Sequence, residues 1–507
     1  MRNGRQFYPF RDVLKVTLHS ITSFRPLPDL IMPGKFRLII LAGLTLISFN
    51  AFSQEMLGIS NSNFAGNMGM GLNPSLFVGS PYLQELNIIS ADFFVDNDYA
   101  FIKRRSRFIT KSLTGESIPE ERFGDYYNSK TKNAYSSVFV RGPSFIQNKE
   151  KFSWGVHTAL RSAVSATDVP FHTAKFIKEG FDFIPQHDQD WESTPFRSAA
   201  MLWGELGGTY GRKIYEERNK KYLAAAVTLK LIAGFDGFYA KVDEFDYRLP
   251  NSDTLIMYDV TAEYAHAMED QSEGFKKPLA LRGYGFGVDL GLTYYRGKIH
   301  GSGDCNKSAE ILKKYKYRVG LSLIDAGLVM FRNDAKLFSF ENASAVWPGI
   351  DTVKFPTIMD LDTTLSNQFF NDPGKSQTGD KFDIYLPTAL SLQFDYCLAP
   401  KFYANATWVQ AVPLSKYAIV RSSQIAVSAR YETRRFEVTV PLTFYEYTTP
   451  HLGLAFRYRF FVIGTDRLGS YTGLWDTTGM DLFFGFKWNW CEKGGKRGNP
   501  NCPAYSN

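Results

Sequence analysis

The sequence predicts an all-β protein, a transmembrane antiparallel β-barrel of about 14 strands with an N-terminal hatch in its lumen. Three observations point there. From residue 83 onward, segment after segment alternates apolar and polar residues with a period of two, over roughly ten residues each, the length of a tilted strand that crosses a bilayer. Connections between those segments are alternately very short and long, the asymmetry of a barrel with tight turns at one end and surface loops at the other. Ahead of the first strand lies an irregular but apolar stretch that needs an interior to cover it.

The chain opens with a leader. Lys35 and Arg37 form a positive region, Leu38 to Ile47 an apolar run too short to span a bilayer, and Ala51-Phe52-Ser53 a small-x-small site, so export and cleavage between Ser53 and Gln54 are expected. Met32 stands where a start would leave a leader of ordinary length. Residues 1–53 hold seven Lys or Arg against two Asp, which leaves 51 basic and 49 acidic residues for all the rest. The net charge of +7 is therefore mostly a leader effect, and nucleic acid is excluded as a partner.

Residues 54–82 are the expected hatch. Gly66, Gly69, Gly71 and Asn73-Pro74 are turn chemistry with apolar residues between them, neither strand nor helix by pattern.

The barrel is expected over 83–490. Gly283 to Tyr295 is its clearest strand: Tyr284, Phe286, Val288, Leu290, Leu292 and Tyr294 form an outward apolar stripe, with Gly283, Gly285, Gly287, Asp289, Gly291 and Thr293 inward. Met480 to Trp490 repeats the pattern, and so does Leu452 to Val462, read as one strand. Segments 222–234 and 237–248 are read as separate strands. Sixteen segments result; those at 254–264 and 334–341 are read as loop hairpins, leaving fourteen. The glycines at 283, 285 and 287 imitate a dinucleotide loop but open no helix, so they are read as positions of close backbone approach. Ile324-Asp325-Ala326-Gly327 breaks the alternation of its strand, which marks Asp325 and Gly327 as a kink. Inward charges are expected at Arg161, Lys230, Asp289, Lys316, Arg318, Arg435, Glu437, Arg457, Arg459, Asp481 and Lys487, with a basic excess, as a network holding the hatch.

Residues 491–507 read as a periplasmic tail in which Cys491 and Cys502 bracket a short loop suited to a disulfide; Cys305 and Cys397 read as lone thiols. Composition agrees with a barrel. Hydrophobic content of 44% excludes disorder, and a mean hydropathy of −0.22 without a long apolar run excludes a helical membrane bundle. No GxSxG, HExxH or CxxC occurs, so no enzyme, metal or cofactor is expected.

A family likeness completes the reading. Asn73-Pro74-Ser75 after the Gly-rich stretch resembles the Asn-Pro-Ala hatch of the long-chain fatty-acid transporter family and of the secretion barrels of PorV type from Bacteroidota. SNFAGNMGMGLNPS (62–75), VRGPSF (140–145), GYGFGVDLGLTY (283–294), YRVGLSLIDAG (317–327) and GTDRLGSYTG (464–473) resemble a Bacteroidota barrel family, domain-of-unknown-function family 5723. The chain departs from the transporters in Ser75 and in its Cys-bracketed tail. The resemblance implies an outer-membrane barrel contacting lipid that binds or moves a hydrophobic or amphipathic small molecule, or alternatively a scaffold for a secreted or periplasmic protein partner.

Overall fold

The computed structural model describes residues 56–490, apart from 79, 81, 105–118, 150, 218–220, 269–278, 298–314, 351, 352, 354, 356 and 434. The cleavage site at Ser53 and Gln54 and the pair Cys491 and Cys502 lie outside the described residues.

The strands are β1 Gln84–Asn97, β2 Lys132–Asn148, β3 Phe152–Val169, β4 Phe196–Glu217, β5 Lys221–Arg248, β6 Thr254–Ala267, β7 Gly283–Arg296, β8 Tyr317–Phe331, β9 Ala335–Pro348, β10 Phe382–Tyr385, β11 Ala389–Ala399, β12 Phe402–Ala411, β13 Gln424–Glu432, β14 Phe436–Tyr445, β15 Leu454–Tyr458, β16 Phe461–Thr465 and β17 Gly479–Trp490; helices α1 Phe171–Glu179 and α2 Ile358–Phe370 lie between them. Apart from β6 and β9, which lie outside the wall, neighbours pair antiparallel in chain order, with β10 and β11 serving as two halves of one broken wall strand, and β17 closes on β1 through Gln84↔Trp490 and its successors. The result is a closed barrel of 14 strands. Closure leaves the wall no free edge, so every ladder hydrogen bond is made within the sheet.

Side chains sort by strand parity. Outward residues of β5 and β7 are strongly exposed, among them Leu229 (61%), Leu231 (68%), Tyr284 (57%) and Phe286 (53%), while inward neighbours such as Thr228 and Asp289 are buried. An unbroken apolar belt of this kind suits the hydrocarbon of a bilayer and not water. Phe402, Tyr458, Trp488 and Trp490 line the short-turn end of that belt, the position of an aromatic girdle.

Two strand assignments from sequence change, and their errors cancel in the count. Segments 222–234 and 237–248 are one strand, β5, of 28 residues, because Phe235 is absorbed as a bulge opposite β4 instead of starting a turn. Conversely, 451–463 is a hairpin: β15 ends at Tyr458, Arg459 takes a left-handed φ of 53°, and Tyr458 pairs with Phe461. A two-residue turn returns the chain on the same face, so Val462 points inward and is fully buried while Phe461 and Ile463 point out.

Segments 254–264 and 334–341 stand outside the wall, as loop elements. They belong to β6 and β9, which pair with each other and, through β6, with the part of β5 that runs on beyond the barrel rim. With α1 and α2 they form a cap whose core holds Phe176, Tyr247, Tyr264, Phe338, Phe340 and Trp347. Helix α2 begins with a capping box between Thr357 and Asp360. It is fixed to the sheet through Asp362, which accepts from the Tyr264 hydroxyl at 3.0 Å and lies 2.9 Å from His266 Nε2. Cys397 is disulfide-bonded and not a lone thiol, whereas Cys305 lies outside the described residues.

Candidate functional site

Residues 56–78 contain one helical turn, Leu57–Ser60, and two 3-10 turns, Gly66–Gly71 and Pro74–Phe77. Such a compact, irregular chain leaves many backbone groups without partners of its own, and they are satisfied by inward side chains from all round the wall. The Asn61 carbonyl accepts from Arg318 on β8 (2.5 Å) and Arg430 on β13 (2.9 Å). Lys487 on β17 donates to the carbonyls of Phe64 and Ala65 and to Glu85 on β1 (3.0 Å). Glu85 accepts from the Asn67 backbone N–H at 2.7 Å, Arg141 on β2 donates to the Asn67 carbonyl, and Ser322 on β8 donates to that of Leu72 at 2.7 Å. Only a segment inside the ring can meet partners from opposite walls in this way.

Asn73 is the anchor at the other end. Its Oδ1 accepts from the Ser75 N–H at 2.9 Å, capping the turn that Pro74 starts, while its Nδ2 donates to Gln393 Oε1 (2.9 Å) and the Leu292 carbonyl (3.2 Å). The wall makes room at Gly291, where a Cβ would stand 2.9 Å from Pro74 Cδ. Gly66 has φ 56° and lies against the Glu85 carboxylate, so both its conformation and its space exclude a side chain. Gly69 offers its carbonyl to the N–H groups of Leu72 and Asn73, and Gly71 faces Arg141.

A second cluster lies nearer the long-loop end and centres on the kink. Asp325 has φ 56°, and wall pairing breaks there: Ile324 pairs with Ala389, then pairing resumes at Leu328 and Tyr385. Gly327 is required by close approach, since a Cβ would meet Gly287 Cα at 2.7 Å. The break turns the Asp325 carboxylate inward to Arg161 (2.8 Å), Lys230 (2.6 Å) and Arg421 (2.8 Å), while Arg161 also pairs with Glu205 (2.9 Å) and Lys230 with Asp289 (2.8 Å). A third cluster joins Arg318 and Arg430 to Asp395, Arg430 to Glu432, and Arg457 to Glu437, all almost fully buried. Buried charges in low dielectric demand partners, which is why each sits in a network.

Three expected lumen charges stand elsewhere. Arg435 is exposed in the turn before β14, Arg459 occupies the two-residue turn after β15, and Lys316 precedes β8 with its ammonium on the Cys397 carbonyl. Alternation was extended past the strand ends in each case. The expected basic excess is also absent: the described inward set gains Glu85, Asp92, Asp96, Glu205, Asp325, Asp395, Glu432 and Asp466 as buried acids. Sequence reading missed Arg421 because it lies on a connection, 412–423, and not on a strand; the apolar run Ala418-Ile419-Val420 before it was the available signal. Among the described residues no group of His, Cys, Asp and Glu is placed to hold a metal ion.

Lumen packing is close. One pocket of about 20 Å³ lies beside Phe139, Arg161, Trp203, Pro387 and Arg421, room for about one water. Another of similar size is lined by Phe139, Arg141, Asp92, Met56 and Met68.

The chain matches the model of the family of unknown function DUF5723 over residues 75–466, and it belongs to that family. No curated protein matches it in sequence. Among solved structures, it is similar to the toluene transporter TodX of P. putida (10% identity, 87% of this chain and 99% of that one, TM-score 0.40). It is also similar to the monoaromatic hydrocarbon channel CymD (9%, 87% and 98%, TM-score 0.30) and to the translocator domain of autotransporter NalP from Neisseria meningitidis (7%, 79% and 88%, TM-score 0.26). Likeness at this level carries nothing about ligand or activity.

Proposed function

We propose that this member of family DUF5723 is an integral outer-membrane barrel that binds and passes hydrophobic or amphipathic small molecules, with residues 56–78 as a removable hatch. One observation carries the reading: the wall is wider than its own side chains could fill. About eight strands already enclose an interior that side chains alone can fill, whereas here 14 strands enclose a space filled by segments of chain brought in from outside the wall. A protein that needed only an anchor has no use for that width. The contacts of the hatch support its release, because they are hydrogen bonds from wall side chains to its backbone carbonyls and from its own Asn61, Ser62, Asn63 and Asn73 side chains to the wall, and water can replace such bonds when the segment withdraws.

Reconstitution in planar bilayers and liposomes tests this. The intact protein is expected to show little conductance, and deletion of 57–77 is expected to open a steady pore and admit a fluorescent amphiphile. Silence after deletion, in a barrel still resistant to SDS when unheated, overturns the reading. A second reading, a scaffold for a secreted or periplasmic partner, is favoured by the cap, which has a hydrophobic core of its own. A stoichiometric protein partner that leaves when the cap is deleted, with no small ligand on the purified barrel, favours that alternative.

A further inference from the structure

Residues 412–423 connect β12 to β13 at the long-loop end, yet Ala418, Ile419, Arg421, Ser422 and Ser423 are buried. The segment crosses the lumen. The Val420 N–H donates to Ser165 on β3 at 3.0 Å, the Ile419 N–H to the Tyr385 carbonyl on β10 at 3.1 Å, and the Arg421 guanidinium reaches Asp325 on β8 at 2.8 Å. Its outer part is open to solvent, with Leu414 51% exposed. The segment is thus a strap held by backbone hydrogen bonds to Ser165 and Tyr385, with the Arg421 to Asp325 ion pair as its charged latch.

Charge decides what could replace that latch. In the hub, Arg161, Lys230 and Arg421 face Glu205, Asp289 and Asp325. Three cations meet three carboxylates. Arg141, one step nearer the short-turn end, donates to the Asn67 carbonyl and lines the neighbouring pocket together with the buried carboxylate of Asp92, a fourth cation with a fourth acid. Withdrawing Arg421 into water leaves two cations against three buried carboxylates, and an uncompensated buried charge is costly. An entering anion would worsen the imbalance, whereas a cationic group would restore it. The seat suits an organic cation further, because Phe139 and Trp203 line the pocket beside it and already hold the Arg161 guanidinium over their rings at 5.2 and 5.0 Å.

We propose that the seat of the Arg421 side chain is a binding site for a solute carrying a guanidinium or ammonium group, and that strap 412–423 is a tethered occupant which such a solute displaces. The site deepens the reading of the lumen as a route and rests on it only for its role in passage; binding is measured without transport.

The full-length protein in detergent micelles, carrying Ile419→Cys, is labelled with a bulky maleimide, the parent protein giving the background. Ethylguanidinium at millimolar concentration is expected to speed labelling several-fold, and hexanoate or sodium chloride at equal ionic strength is not. Calorimetry supplies an independent arm. Arg421→Gln removes the tethered competitor, so ethylguanidinium is expected to bind it at least about tenfold more tightly than it binds the parent. Hexanoate opening the strap, labelling indifferent to ethylguanidinium, or equal affinity in the two proteins overturns the proposal. If the cation binds as expected while deletion of 57–77 yields no pore, the site stands and the transport reading falls.

Discussion

The lumen and the cap are built on the same strand, β5, and are held together in opposite ways. Inside the barrel, Lys230 of β5 joins a network of buried ion pairs; above the rim, Tyr247 of the same strand sits among Phe176, Phe245 and His172 rings. The wall's outer face is already apolar for lipid, so its inner face is free to be polar, and it satisfies an irregular segment whose backbone needs donors. The cap has water on its outside and therefore must bury its apolar residues within. One sheet carries both solutions because the inside and outside of its strands exchange chemistry at the rim.

The sharpest way to break this comparison is to remove one member from each interior. Arg430→Ala leaves Asp395 and Glu432 without their shared guanidinium, which is 1% exposed, and is expected to cost about 3–5 kcal/mol. Urea unfolding in micelles, followed by heat-modifiable migration on gels, reads it as loss of the whole barrel. Phe340→Ala in the cap core is expected to cost about 3 kcal/mol, yet only locally: proteolysis should cut the cap sooner while barrel migration stays unchanged. A global loss from Phe340→Ala would show that the two interiors form one cooperative unit.

Smaller effects sharpen the contrast. Gly291→Ala pushes a methyl against Pro74 and is expected to cost about 1–3 kcal/mol in the seating of residues 56–78, seen as faster hydrogen exchange over 57–77 with the wall unaffected. In the cap, burial between Trp191 and Tyr247 holds His172 below its ordinary value of 6.5. Its stabilising effect is full above pH 6.5 and is lost as pH falls further, because the unfolded cap takes up the proton first. Cap proteolysis should therefore accelerate at pH 5 relative to 7.5 in the parent, an acceleration that His172→Gln should reduce. The smallest effect is expected at Lys316→Ala, under about 0.5 kcal/mol, since that side chain lies at the strand end.

The barrel was legible because its cause is local. A strand with lipid on one side and a polar lumen on the other must alternate, and Gly283 to Tyr295 shows that rule residue by residue. Alternation does not say where a strand stops. Phe235 and Arg459 look alike in that pattern, yet the first is swallowed by a bulge in a continuous strand and the second makes a hairpin turn without Gly, Asn or Pro. The charge network was legible only where its members ride on strands, as Arg161, Lys230, Asp289, Arg318, Arg457 and Lys487 do. Glu205, Asp395 and Arg430 needed the register, and Arg421 needed the strap.

The sequence by itself determined the alternating strands, their apolar belt and the break at Asp325, since each follows from what one residue and its next neighbours can satisfy. Only the tertiary structure decided which charges meet and what fills the lumen. Partners such as Arg421 and Asp325, or Lys487 and the carbonyl of Ala65, are brought together by closure of the ring, and no local pattern records who will stand opposite whom across a barrel.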